Sequence, residues 1–130
     1  MRKAKLLIPM ILSAIFLSSC GTHEGTSSGY RQISMDKAVE MMKNETGYII
    51  LDVRRPDEFA EGHIPGAINV PNEEIDTDEI PELPDKSRLI LVYCRSGRRS
   101  KEASEKLADI GYTNIVEFGG ILDWKGEIEK

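Results

Sequence analysis

The stretch RLILVYCRSGRRSKEASEKLADIG, residues 88–111, changes character in the middle, and that change decides the fold. RLILVYC is almost continuously apolar, the pattern of a strand buried on both faces. RRSKEASEKLADIG is amphipathic and closes on Gly111, the pattern of a helix with a glycine stop. Between them Arg95 to Gly97 can only turn the chain. A buried strand feeding a helix through a tight turn is half of a βαβ unit, in which parallel strands lie between helices.

The rest of the chain repeats that alternation. YRQI, from Tyr30, is a short strand candidate. Ser34 is placed to cap a helix MDKAVEMMKNE, whose Met35, Ala38, Val39, Met41 and Met42 fall mostly on one side, before Gly47. YIILDV is a second buried strand, and RPDEFAEG reads as a short helix with Pro56 in its first turn. HIPGAINVP turns at Pro65 and Gly66 and holds a brief strand from Ala67 to Val70. NEEIDTDEIPELPDKS is an acidic surface excursion with a turn of helix. NIVEF is the last strand, and GGILDWKGEIEK adds a glycine turn and a short helix around Trp124. The expectation is a three-layer α/β domain over residues 30–130. Ligands of such sheets lie beyond the carboxyl ends of the strands, where Cys94 falls.

The first 29 residues have a different composition. MRKAK is a basic head, LLIPMILSAIFL is a twelve-residue apolar run, and SSC ends it at Cys20. A run of that length is short of the roughly 20 residues of a membrane span and has the order of a secretory signal. LSSC resembles the lipobox of bacterial lipoproteins, which implies a signal peptide over residues 1–19, a lipid on Cys20 and an extracytoplasmic, membrane-anchored product; a plain signal peptide is the alternative. GTHEGTSSG then reads as a flexible tether, so residues 20–29 hold the lipidated cysteine and a linker reaching roughly 17 Å. Without residues 1–19 the chain has 14 basic against 22 acidic residues, a net charge of −8, which argues against nucleic acid. Any membrane contact would come through the lipid, and Cys94 would be the only free thiol left.

The chemistry concentrates in CRSGRRS. Backbone N–H groups of a turn entering a helix converge without internal partners and make a cradle for negative charge. A cysteine there is favoured as a thiolate nucleophile. Arginines at a helix start oppose the helix dipole, so Arg95, Arg98 and Arg99 in an acidic chain suit a site that receives an anion. Ser96 and Ser100 are equally suited to donate hydroxyl hydrogen bonds or to cap the helix. The plain alternative is an inert core cysteine with solvated arginines around it.

With LDVRRPDEFAEGHIPGAINVP upstream and GGILDW downstream, VYCRSGRRS resembles the single-domain rhodaneses, the thiosulfate sulfurtransferase family, over nearly all of residues 30–130. The resemblance implies a five-stranded parallel sheet flanked by helices. It also implies Cys94 as the catalytic residue, with Arg95, Ser96, Gly97, Arg98, Arg99 and Ser100 binding the substrate. The implied reaction moves sulfane sulfur from an anionic donor, thiosulfate or a persulfide, to a thiol or cyanide through a persulfide on Cys94. Arg98 stands where relatives often carry Asn. The related cell-cycle phosphatases have a longer C-x5-R loop, whereas here the spacing is Cys94-x4-Arg99, which disfavours phosphatase or arsenate reductase chemistry. A rhodanese module without catalysis, binding a partner or sensing oxidation, is the second reading. No cofactor is expected, and the chain is expected to act as a monomer.

Asp52 and Arg54 at a strand end read as an ion pair fixing neighbouring loops. His63 reads as a turn hydrogen bond rather than a proton carrier, and Trp124 as core or a lid over the loop. With His23 in the tether, no histidine-based metal site can assemble. No second cysteine is near Cys94, which excludes a C-x-x-C redox pair.

Overall fold

A computed structural model describes residues 29–76 and 79–130. The predicted signal peptide, Cys20 and all of the predicted tether except Gly29 lie outside the described residues. Five strands form one sheet: β1 (Arg31–Gln32), β2 (Ile49–Asp52), β3 (Ile68–Asn69), β4 (Ile90–Cys94) and β5 (Ile115–Gly120). Every pairing is parallel and the order is β1-β5-β4-β2-β3, so the strand carrying Cys94 is central. The helices are α1 (Met35–Asn44), α2 (Pro56–Glu61) and α3 (Arg98–Asp109).

Local chemistry accounts for these elements. Ser34 caps α1 by accepting the Lys37 N–H at 3.2 Å, and Pro56 opens α2. The expected helix near Trp124 is a single 3-10 turn at Ile121–Asp123, and the acidic excursion holds another at Asn72–Glu74. Prolines 81 and 84, with no backbone N–H, sit in residues 79–87, which form turns rather than regular structure.

The period of two along the inner strands sorts the core into two layers. Leu51, Val53, Ile90, Val92, Cys94 and Ile115 pack on one face with Ala103 and Leu107 of α3. Ile50, Leu91, Tyr93, Val116 and Phe118 pack on the other with Ala38 of α1, and Phe59 of α2 joins them. All five residues of β4 are buried, as a strand covered on both faces must be.

One irregularity positions the site. Val92 pairs with Glu117 but Cys94 pairs with Gly120, so β5 holds one residue more than β4 across this interval. Such a bulge bends the strand and re-aims its side chains. Here it carries Gly119 and Gly120 under the loop that follows Cys94.

Candidate active site

Cys94 ends β4, and α3 begins at Arg98 after three intervening residues. Gly97 is the N-cap of α3 with φ 113°, a left-handed conformation that a side chain would strain. This turn brings the Gly97 N–H to 3.0 Å from Cys94 Sγ. The loop rests on the bulge: the Leu122 N–H donates to the Arg95 carbonyl at 3.2 Å. A Cβ on Gly120 would collide with the Arg95 carbonyl and the Ser96 nitrogen, so only glycine lets β5 approach the loop this closely.

Cys94 is 1 % exposed and Ser100 fully buried. The Cys94 thiol donates to Ser100 Oγ at 3.4 Å. Ser100 Oγ lies 2.6 Å from Glu117 Oε1, 2.9 Å from the Gly97 carbonyl and 3.3 Å from the Gly119 carbonyl. Neither loop serine caps α3, whose N-cap is Gly97 with no side-chain cap bond. Glu117, 3 % exposed, also accepts the Gly119 N–H at 2.8 Å.

The three arginines go different ways. Arg98 is exposed and pairs with Glu102 one turn along α3 at 3.1 Å. Arg99 forms a two-pronged pair with Glu58 of α2, at 2.7 and 3.0 Å. That bond holds the Glu58 carboxyl at about 2, against the pull of partial burial and with help from the Arg55 N–H. Arg95 is exposed and has no ion pair among the described residues. It lines a cleft of ≈ 410 Å³ beside the loop, with Arg54, Arg55, Glu58, Ile121 and Leu122.

The residues set aside on sequence grounds have structural partners. Arg54 grips Asp52 at 2.7 Å and the Gly62 carbonyl at 2.7 Å, tying β2 to the end of α2. His63 stacks on Phe59 with ring centroids 3.8 Å apart, and its Nδ1 lies 2.9 Å from the Phe59 carbonyl. Trp124 packs in the α1 layer, on the sheet face opposite Cys94. Burial pushes the Tyr93 phenol well above its ordinary value, so this neighbour of Cys94 stays neutral. Among the described residues no group of acidic, histidine or cysteine side chains is arranged to hold a metal.

Glu117 and Glu58 are absent from a site drawn from the sequence alone. Glu58 is 41 residues from its partner and carries no local mark. Glu117 does carry one: it is a carboxylate inside an otherwise apolar strand, and a buried charge needs a reason.

Residues 34–127 match the Rhodanese-like domain family. The chain is 40% identical over 73 residues to the thiosulfate sulfurtransferase PspE of Escherichia coli, covering 56% of this chain and 70% of the relative. It is 33% identical over 94 residues to a sulfurtransferase of Allochromatium vinosum, covering 72% and 86%. Among solved structures, a rhodanese with anions from E. coli superposes with a TM-score of 0.58 at 36% identity, covering 64% of this chain and 98% of that one. The parallel five-stranded sheet, the strand-end cysteine loop and these matches together place the chain in the rhodanese-like family.

Proposed function

We propose that this protein is a sulfurtransferase that carries sulfane sulfur on Cys94 as a persulfide, from an anionic donor such as thiosulfate to a thiophilic acceptor such as a thiol or cyanide. The observation that carries the reading is the Gly97 N–H at 3.0 Å from Cys94 Sγ, at the mouth of a short loop entering α3. An N–H aimed at sulfur stabilises the charge that develops there during transfer, at no reorganisation cost. The sulfurtransferases among its relatives support the same reaction class.

In the proposed cycle, the Cys94 sulfur attacks the outer sulfur of the donor and forms a new S–S bond. The donor's own S–S bond breaks and its electron pair leaves with sulfite. The acceptor then attacks the outer sulfur of the persulfide, and Cys94 leaves as thiolate. Arg95 is the loop cation free to meet the donor, since Arg98 and Arg99 already face carboxylates. Ser96 and Gly97 line the turn, and Ser100 contacts Sγ from within.

The same proposal includes removal of residues 1–19, lipid attachment at Cys20 and display of a monomeric domain outside the cytoplasm. Its support is the basic head, the apolar run and LSSC. Among the described residues no helix is long and apolar enough to cross a membrane.

The test is to incubate the full chain with thiosulfate, following sulfite release, cyanide-dependent thiocyanate and, by mass spectrometry, sulfur on the Cys94 peptide. One added sulfur on Cys94 and loss of turnover in Cys94→Ser are expected. Absence of both persulfide and turnover in the native chain would leave a module without catalysis. Undiminished activity of Cys94→Ser would refute Cys94 as the nucleophile.

A further inference from the structure

Among the described residues two carboxylates, Asp52 and Glu117, lie in the core, and they are treated differently. Asp52 is neutralised by Arg54, whereas Glu117 has no ion pair among the described residues. Among the described residues its Oε1 receives the Gly119 N–H and the Ser100 hydroxyl. An unpaired buried carboxylate is expensive to keep. The regular register of β4 and β5 sets it opposite Val92, just before the bulge, on the sheet face that holds Cys94.

The hydrogens along this chain can be counted. Cys94 offers its S–H to Ser100 Oγ. The Ser100 hydroxyl has one hydrogen for three acceptors, and the shortest contact and the only carboxyl oxygen among them is Glu117 at 2.6 Å. The line S–H, O–H, carboxylate thus ends on the only member without a proton of its own. If Cys94 ionised while Glu117 stayed ionised, two anions would compete for one hydroxyl hydrogen in a dry site.

We propose that Cys94 and Glu117 share one proton through Ser100, with Glu117 as the positioning residue that holds Cys94 as a thiol at rest and takes its proton when it attacks. The inference rests on the sulfur-transfer reading above. As Sγ attacks the donor, the S–H bond breaks and its electron pair forms the new S–S bond. The proton passes to Ser100 Oγ while the Ser100 proton passes to Glu117 Oε1, leaving a neutral carboxylic acid. When the acceptor removes the outer sulfur, Cys94 leaves as thiolate and recovers the proton by the reverse path. The Gly97 N–H stabilises the negative charge on Sγ once the proton has left.

The surrounding charges are accounted for. From α3, Arg99 is bonded to Glu58 of α2, and Arg98 turns out to Glu102. Arg95 is exposed, and β1 presents the exposed Arg31 beside β5. None of them bonds to Glu117.

Alkylation of Cys94 by iodoacetamide, followed peptide by peptide so that Cys20 is separated, reads the thiolate without any sulfur donor. The amide carbonyl of Glu117→Gln can accept the same two hydrogen bonds but carries no charge. At pH 6 that variant is expected to react at least about ten-fold faster than the native chain, with the rates converging at high pH. Glu117→Asp, which restores the charge, should return the rate toward native. In the native chain the Glu117 carboxyl carbon resonance should shift at the pH where Cys94 becomes reactive, and lose that shift once Cys94 is alkylated. A folded Glu117→Gln chain whose alkylation profile superimposes on the native one overturns the proposal; so does a carboxyl resonance indifferent to Cys94. Cys94 that behaves as expected yet takes sulfur from no donor refutes the sulfur-transfer reading alone. Normal sulfur loading with superimposed alkylation profiles refutes the shared proton alone.

Discussion

At the scale of single residues, the loop is shaped by positions that do no chemistry. Gly120 has no room for a methyl group against Arg95 and Ser96, and the backbone of the cysteine loop is what it would displace. Gly120→Ala is therefore expected to slow sulfur loading of Cys94 by at least about ten-fold, because misplacing a reacting group by about 1 Å can cost about a hundred-fold. The measurement is the rate of persulfide formation by mass spectrometry, beside a thermal melt showing that the fold survives. Cys94 and Gly97 were legible as a site from sequence because turn, strand end and helix start are neighbours in the chain. Ser100 was legible only as two equal possibilities. Its hydroxyl points to Cys94 and Glu117 because α3 packs on β5, which no local pattern encodes.

Among the elements, α2 and α3 are joined by the Arg99–Glu58 pair, which fixes the start of the helix that frames the loop. Glu58 titrates at about 2 in the folded chain against an ordinary 4.5. Its folded value is the lower one, so the stabilisation is complete above about pH 4.5 and is lost as the pH falls toward about 2. The melting temperature of the native chain should therefore drop more between pH 5 and pH 2.5 than that of Glu58→Gln. Equal drops in the two would show that the pair does not hold the elements together. The run of arginines was visible in the sequence as a charge anomaly at a helix start. Two of the three are answered by carboxylates of the chain itself, Glu102 at the next turn and Glu58 from another helix.

For the molecule as a whole, the buried Arg54–Asp52 pair joins the end of β2 to the end of α2, and Asn69 of β3 donates to the Asp52 and Arg54 carbonyls. Removing one member leaves the other charged and buried, which costs about 3–5 kcal/mol. Arg54→Met should lose about that much unfolding free energy in denaturant titration, and a loss below about 1 kcal/mol would mean that water or another group replaces the guanidinium. The alternation of apolar runs with amphipathic stretches was enough to specify a three-layer α/β domain, because a strand covered on both faces and a helix covered on one leave different residue periods. The strand-end cysteine and its glycine turn were determined in the same way, by contacts within a few residues. The order β1-β5-β4-β2-β3, the bulge opposite Cys94 and the placing of Glu117 and Glu58 were decided by tertiary structure alone. Those features depend on which distant segments share a sheet edge or a helix face, and packing settles that without leaving a period in the chain.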